Sequence, residues 1–267
     1  MNQSAQKEWI EPYKGMKIAD RVMTVTAEEQ QRLLGFCGIE PAVFGGNMDP
    51  AGFITLAIRE GVRNGIHANG TVNLAQNLRL HRPMRLGENL TVSGRILDVE
   101  EVPRGRVASS ETWFSGADGE RALTSSRRSL RPGPAMASAR GVGEKSALFV
   151  TALEQLQAVN QFTLTPEAVV AYTGLTNPIH FDPEVAKRSG FRAPITGGTQ
   201  CARFLTAEIW RRFKPKTLDL DIAFRRPLFW DDTFSVMVDE RDGEWKAICL
   251  VKDGKVTSEA RINQLTV

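Results

Sequence analysis

The residues of this chain most suited to chemistry lie in one short stretch of its second half. His180 follows the dipeptide formed by Asn177 and Pro178, and Gly197 and Gly198 stand just before a segment with helical apolar spacing. Pro178 locks its own φ and restricts the residue before it, so the histidine is presented from a rigid turn. A glycine pair that opens a helix leaves backbone N–H groups accessible at the positive end of the helix, where they can hold a developing oxyanion. The stretch therefore predicts an imidazole next to an oxyanion-binding helix tip.

From residue 173 the sequence reads Thr-Gly-Leu-Thr-Asn-Pro-Ile-His-Phe-Asp-Pro, and from residue 193 it reads Ala-Pro-Ile-Thr-Gly-Gly. It resembles the signature of the MaoC-like hydratase family, which includes the (R)-specific enoyl-CoA hydratases and 3-hydroxyacyl-thioester dehydratases and has the hot-dog fold. The usual pattern in that family is Ser/Thr-Gly-Asp-x-Asn-Pro-Ile/Leu-His, then x-Asp-Pro, then Pro-Ile-x-His-Gly before the central helix. The positions that match are Thr173, Gly174, Asn177, Pro178, Ile179, His180, Asp182, Pro183, Pro194, Ile195 and Gly198.

Two positions depart from the family pattern. Leu175 stands where the family has its catalytic aspartate, and Gly197 stands where it commonly has a histidine. The resemblance implies that Asp182 serves a structural turn. Glu40 and Asp49 could replace the missing carboxylate only if the first half of the chain packs across the site of the second half.

The resemblance also implies a role for each matched polar residue. His180 would be the acid/base, and Gly198, with Gly197, would donate backbone N–H groups to the thioester oxygen. Asn177 would orient water or His180, although an asparagine before a proline also serves as a turn former. Arginine can clamp phosphate, and a solvated charged surface is the alternative reading of such residues. The expected contacts to the phosphates and pantetheine of the ligand are Arg192, Arg225, Arg226 and Lys214.

The composition is that of an ordinary soluble globular protein. The chain has 267 residues, of which 42% are hydrophobic and 24% charged, and its net charge is +3. This charge is too small to predict nucleic-acid binding but is compatible with an anionic ligand. The start of the sequence lacks the apolar core of a signal peptide and no apolar run is long enough to span a bilayer, so a cytoplasmic protein is expected. Cys37, Cys201 and Cys249 lie far apart in apolar segments and are expected to be buried thiols, without a disulfide or a metal site.

The chain contains an internal repeat. The segment before Gly35 is similar to the segment before Gly174, 139 positions later, and the segment around Pro83 is similar to that around Pro227, 144 positions later. Loop-length variation can absorb the difference between the two shifts, so the chain reads as two copies of one unit. Pairing the glycines that precede the long helices, Gly46 with Gly198, would mean that the first copy lacks the loop carrying Asn-Pro-Ile-His.

Each copy is predicted to contain a short helix, a longer apolar helix and an antiparallel sheet. Thr26 and Thr165 stand at N-cap positions, and the first long helix is expected to cover Pro50 to Val62. Alternating apolar residues after each long helix predict strands, joined by tight turns at Asp118-Gly119 and Asp253-Gly254.

With the family resemblance, this pattern predicts an α+β double hot-dog, in which two antiparallel sheets each wrap a central helix and can join edge to edge. The expected units are residues 1–130, an N-terminal hot-dog-like unit without a site of its own, and residues 156–267, a C-terminal MaoC-like unit. Residues 131–155 are expected to be a linker, because they begin with a stretch rich in Pro, Gly and small side chains.

The leading functional hypothesis is a hydratase or dehydratase that interconverts a 2-enoyl thioester and a 3-hydroxyacyl thioester of CoA or acyl carrier protein, without a cofactor. Leu175 favours an alternative, a non-catalytic acyl-thioester-binding protein or a subunit that needs a partner. Thioester hydrolysis is a third hypothesis, because hot-dog folds also host it. The chain is expected to form a homodimer and to bind neither nucleic acid nor membranes.

Overall fold

The computed structural model describes residues 9–67, 70–133, 147–174 and 177–267. Leu175 and most of the predicted linker therefore lie outside the described residues. The strands are β1 (Lys17–Met23), β2 (Val72–Leu80), β3 (Leu90–Val102), β4 (Gly105–Ser115), β5 (Arg121–Pro132), β6 (Gln157–Thr163), β7 (Thr217–Phe224), β8 (Thr233–Arg241), β9 (Glu244–Lys252) and β10 (Lys255–Thr266). The α-helices are α1 (Ala27–Gly35), α2 (Gly52–Arg63), α3 (Pro166–Thr173), α4 (Pro183–Arg188) and α5 (Gly198–Phe213).

The strands form one antiparallel sheet in the order β1-β3-β4-β5-β2-β7-β10-β9-β8-β6. Each half has the same internal order, and the two halves meet where β2 pairs with β7, from Ala75 opposite Ala223 to Leu80 opposite Leu218. This junction gives hydrogen-bond partners to two strands that would otherwise be edges. The predicted double hot-dog, with two sheets joined edge to edge, is confirmed.

Local sequence accounts for the starts of the short helices and for the tight turns. The Thr26 hydroxyl accepts a hydrogen bond from the Glu29 N–H at the start of α1, and Thr165 caps α3 in the same way. Between β9 and β10, Asp253 and Gly254 both have positive φ, 49° and 66°, as a two-residue hairpin turn requires. These caps and this turn agree with the sequence prediction.

The two central helices differ in how completely they are enclosed. Residues 199–210 of α5 are all buried, and the helix packs against the sheet through side chains such as Phe204, Leu205 and Ile209. The shorter α2 begins two residues later than predicted, and only Phe53, Ile54 and Glu60 are fully buried in it. The helices approach each other near their N-termini, where the hydroxyls of Thr55 and Thr199 are hydrogen-bonded at 3.1 Å.

No helix in the described ranges combines the length and the apolar character needed to cross a membrane.

Candidate active site

A short loop between α3 and α4 presents His180. Pro178–His180 form a single 3-10 turn, and the Asn177 side chain caps it by accepting a hydrogen bond from the Ile179 N–H at 3.4 Å. Asp182 then caps α4 by accepting hydrogen bonds from the N–H groups of Glu184 and Val185. Asp182 is thus a structural turn residue, as the sequence implied, and Asn177 performs at least the turn-forming role.

The hydrogen bonding of His180 defines which ring nitrogen is available for chemistry. Its Nδ1 lies 2.7 Å from the carbonyl oxygen of Ile195, which can only accept, so Nδ1 carries the proton of the neutral ring. Nε2 is then the basic atom. Burial lowers the pKa of His180 below its ordinary value of 6.5, against the opposing effect of the hydrogen bond to Ile195. The imidazole is therefore neutral, and able to accept a proton, at neutral pH.

The imidazole borders the N-terminal tip of α5. Gly197 caps this helix with extended backbone, and a Cβ atom on Gly197 would lie 3.9 Å from His180 Cε1 and 3.7 Å from Thr173 Cγ2. The N–H groups of Gln200 and Cys201 donate to the Gly197 carbonyl. Those of Gly198 and Thr199 have no acceptor among the described residues, as expected for the first turn of a helix. The His180 ring therefore lies beside the first turn of α5, where two N–H groups have no acceptor in the described part of the chain.

Gly198 is also constrained by packing. A Cβ atom on this residue would lie 3.1 Å from Cζ and 3.2 Å from Cε1 of Phe224, in β7. This separation is closer than ordinary van der Waals contact, so the glycine allows the helix tip to pack directly on an aromatic ring of the sheet.

The predicted phosphate contacts are scattered over the described structure. Arg192 bonds Asp231 and Asp232 at 2.7 Å and 2.5 Å, and its guanidinium lies 4.2 Å from the centre of the Phe229 ring. Lys214 caps the C-terminal end of α5, roughly 24 Å along the helix from Gly198. It is therefore not part of the cluster around His180.

The two consecutive arginines of the second half both have intramolecular partners. Arg225 is mostly buried, bonds Glu259 at 2.6 Å and donates to the Ala147 carbonyl. Arg226 donates to the Val256 carbonyl at 2.8 Å. Arg225 thus connects β10 to the segment that precedes β6.

The comparison with protein families bears on this half of the molecule. A family model described as a MaoC like domain matches residues 150–261, which include the His180 loop and all of α5. The second half of the chain is a MaoC-like domain. The comparison with curated proteins finds no match.

Solved structures show that the likeness in fold extends to the first half. HtdX from Mycobacterium tuberculosis is 19% identical with a TM-score of 0.74, and the match covers 92% of this chain and 98% of HtdX. A MaoC-like dehydratase from Phytophthora capsici is 17% identical with a TM-score of 0.67, covering 94% and 96%. An acyl-ACP thioesterase from Bacteroides thetaiotaomicron is 11% identical with a TM-score of 0.59, covering 91% and 96%. At these identities the comparison establishes the fold and not the activity.

The N-terminus of α2 in the first half corresponds to that of α5, but the Asp49 carboxylate is hydrogen-bonded there. Isolated bridges pair Asn47 with Arg85 in the first half and Ile195 with Phe229 in the MaoC-like domain. Asn47 and Ile195 are therefore equivalent positions, and so are Asp49 and Gly197, which lie two residues later in each half. The Asp49 carboxylate accepts a hydrogen bond from the Ala51 N–H at 3.0 Å.

The predicted pairing of Gly46 with Gly198 was wrong. The glycine pairs of the two halves are similar in sequence, but the register of the bridges aligns Gly46 with Pro194. Gly45 and Gly46 have φ of 57° and 82° and form a turn before the bridge, whereas Gly197 and Gly198 lie after it. Because the Asp49 carboxylate accepts the Ala51 N–H, the tip of α2 differs from that of α5, which has a glycine at the equivalent position.

A buried ion pair beneath this tip was not predicted. Arg203 Nε lies 2.8 Å from Asp49 Oδ2, and the two side chains are only 3% and 1% exposed. The Thr206 hydroxyl donates to Asp49, and the Arg203 guanidinium lies 5.3 Å from the centre of the Tyr172 ring. Burial raises the pKa of Asp49, against the opposing effects of Arg203, the Ala51 N–H and the Thr206 hydroxyl. The available signal was an arginine and a threonine three residues apart, placed among the apolar residues of α5.

The ion pair forms the floor of a cleft between α1, α2, α3 and α5. The cleft has an empty volume of about 540 Å³, open mouth included, and is also lined by Glu29, Thr55 and Tyr172. Thr55 bonds Thr199 in the first turn of α5, so the cleft begins beside the candidate oxyanion donors. Glu40, the other carboxylate considered, is exposed and precedes the 3-10 turn Pro41–Phe44.

The other two histidines lie in the first half. His81 Nε2 is hydrogen-bonded to the Thr124 hydroxyl at 3.0 Å. His67 packs edge-on against Trp9, with ring centres 4.6 Å apart. Both have structural contacts within their own half.

Proposed function

We propose that this protein is a hydratase or dehydratase that interconverts a 2-enoyl thioester and a 3-hydroxyacyl thioester. The observation that carries the proposal is the position of the His180 ring beside Gly197, where a Cβ atom on the glycine would lie 3.9 Å from His180 Cε1. Nε2 of this ring is the basic nitrogen, and the N–H groups of Gly198 and Thr199 in the adjacent first turn of α5 have no acceptor among the described residues. A base beside an oxyanion site is the minimum that addition of water to a conjugated thioester requires.

In the hydration direction, His180 Nε2 takes a proton from water while the hydroxide oxygen bonds to the β-carbon. The electrons of the carbon–carbon double bond move to the thioester oxygen, which the N–H groups of Gly198 and Thr199 hold as an enolate. The enolate collapses and its α-carbon takes the proton from the imidazolium. Because Leu175 carries no exchangeable proton, we assign both proton transfers to His180. Asn177 holds the turn that aims the ring.

We favour CoA over acyl carrier protein as the thiol component of the thioester substrate. Its phosphates would need cations on the MaoC-like domain, where Arg226 is the proposed contact. Arg192 and Arg225 each bind protein carboxylates, so a phosphate could recruit them only by displacing or sharing those partners.

The pH dependence of hydration follows from the lowered pKa of His180. Its neutral form is the reactive one, so kcat/KM is expected to be constant above pH 7 and to fall only in acid, with a midpoint below the ordinary value of 6.5. A pH–rate profile on a short 2-enoyl-CoA measures this midpoint. An acid limb centred above 6.5 would contradict the assignment of His180 as the base.

The direct test of the function is to mix purified protein with short 2-enoyl-CoAs and follow loss of the absorbance of the conjugated thioester. Turnover that yields the 3-hydroxyacyl-CoA is expected. Absence of turnover on CoA and acyl-carrier-protein substrates alike would refute the proposal.

Two rival functions give different outcomes in the same assay. Leu175 favours a protein that binds acyl thioesters without turnover, and in that case Leu175→Asp is expected to create activity that the natural chain lacks. The likeness to an acyl-ACP thioesterase supports hydrolysis as a further candidate. Release of free thiol at the rate of substrate loss would identify it.

A further inference from the structure

The first half contains a cavity between α2 and the inner face of its sheet. Its empty volume is about 770 Å³, open mouth included. One wall is apolar and consists of α2 residues such as Ala57, Ile58 and Val62. The cavity lies in the half without His180, so its occupancy is independent of the chemistry at the α5 tip.

The strand residues that line this cavity are polar, whereas the residues at the equivalent positions of the MaoC-like domain are apolar. In the MaoC-like domain, Val238, Ile248 and Ala260 form a cross-strand row that is fully buried against α5. The register of the strands makes Thr112 and Ser125 the counterparts of Ile248 and Ala260.

The next row of the first half is polar as well. Ser110 pairs with Arg127, and both residues line the cavity with Thr112 and Ser125. Burying hydroxyls and part of a guanidinium under a helix costs free energy unless these groups form hydrogen bonds. A polar lining at a position where the sister unit packs apolar side chains therefore indicates a binding site.

Arg127 is the feature that defines the ligand. It forms no ion pair with any described residue, and its Nε is buried without a hydrogen-bond partner. Burial lowers the pKa of Arg127 to about 10, which leaves the guanidinium charged at neutral pH. Nδ1 of His67, which also lines the cavity, is likewise buried without a partner in the described chain.

The other arginines of the cavity already have carboxylate partners. Arg131 Nη1 bonds Glu11 at 2.5 Å, and Arg106 bonds Glu101 at 2.6 Å and also approaches Glu11. The charge left unbalanced in the cavity is therefore that of Arg127. Arg127 is half-buried and its Nε has no partner, so an anion that entered the cavity would gain a charge-assisted hydrogen bond from its guanidinium.

We propose that this cavity binds a small organic carboxylate, with its charged end on Arg127 and the neighbouring hydroxyls and its apolar body along α2. The apolar wall favours an organic anion over an inorganic one, since phosphate or sulfate would leave Ala57, Ile58 and Val62 without contacts. From Ala57 to Val62 the helix rises about 7.5 Å, which suits a chain of a few carbons.

Isothermal titration calorimetry of the full chain with hexanoate and 1-hexanol tests the proposal. Hexanoate is expected to bind, with 1-hexanol at least about ten-fold weaker because it offers no charge to Arg127. Arg127→Met keeps the aliphatic stem and is expected to weaken hexanoate binding by about ten-fold or more. Arg128→Met is the matched control, because the neighbouring side chain is exposed and pairs with Glu100, and it is expected to leave binding unchanged.

The outcomes separate a ligand site from a structural role. Without ligand, Arg127→Met is expected to raise the melting temperature, since it removes a half-buried charge whose Nε has no partner. An arginine retained for packing would make the variant less stable. Thr112→Val, which preserves shape, is a second variant and is expected to weaken hexanoate binding. Equal binding of hexanoate and 1-hexanol, equal binding of inorganic phosphate, or unchanged binding in Arg127→Met would each overturn the proposal.

Discussion

Replacement of His180 by alanine is expected to lower kcat for hydration of a 2-enoyl thioester by about 10²- to 10⁴-fold, the range for loss of a general acid/base. The effect should lie at the upper end of this range, because we assign both proton transfers to this one imidazole. KM is expected to change little, since Nε2 acts on water and the α-carbon mainly in the transition state. The measurement is the steady-state rate of loss of the conjugated thioester absorbance.

His81→Ala is the control for this experiment. His81 is bonded to Thr124 in the first half, away from the α5 tip, so its replacement is expected to leave kcat near the wild-type value. If His180→Ala retains the rate of the natural protein, as His81→Ala is expected to do, His180 is not the acid/base.

Removal of either partner of the buried Asp49–Arg203 pair is expected to destabilise the protein by about 3–5 kcal/mol, because each change leaves the other charge buried and unpaired. Asp49→Ala and Arg203→Met are the single variants. The double variant Asp49→Leu with Arg203→Met removes both charges and is expected to recover most of the lost stability. Denaturant unfolding measures the three free energies of unfolding.

An exposed pair serves as the comparison. Arg241 and Asp239 are bonded at 2.7 Å at the end of β8, and Arg241→Ala is expected to leave the free energy of unfolding almost unchanged because solvent screens the pair. Single variants at Asp49 and Arg203 that cost no more than this would show that neither residue carries a buried charge in the folded state.

The pair also accounts for the difference between the tips of the two central helices. Asp49 and Gly197 occupy equivalent positions before the two central helices, but Asp49 satisfies the backbone N–H of Ala51 with its own carboxylate. Arg203, from the MaoC-like domain, holds that carboxylate in place. Residues of the first half line the cleft beside the α5 tip, and a second cavity lies between α2 and the sheet of that half.

Local interactions made much of the fold readable from the sequence. Thr26 and Thr165 cap helices through contacts three residues away, and Asp253-Gly254 forms a turn between adjacent strands. The repeat predicted two similar units, and the alternation of apolar residues predicted their strands. The proximity of His180 to the glycine pair was also accessible, since both belong to one segment of fewer than twenty residues.

The double hot-dog and the stretch that carries the candidate site could therefore be predicted from the sequence, because periodicity, caps, turns and a contiguous motif act over short distances along the chain. Which charged side chains have partners became visible only in the folded molecule. Asp49 meets Arg203 across 154 positions, Arg192 meets Asp231, and Arg127 meets no carboxylate among the described residues. Burial and pairing depend on how distant segments pack against each other. The local sequence around either member of such a pair therefore does not identify its partner.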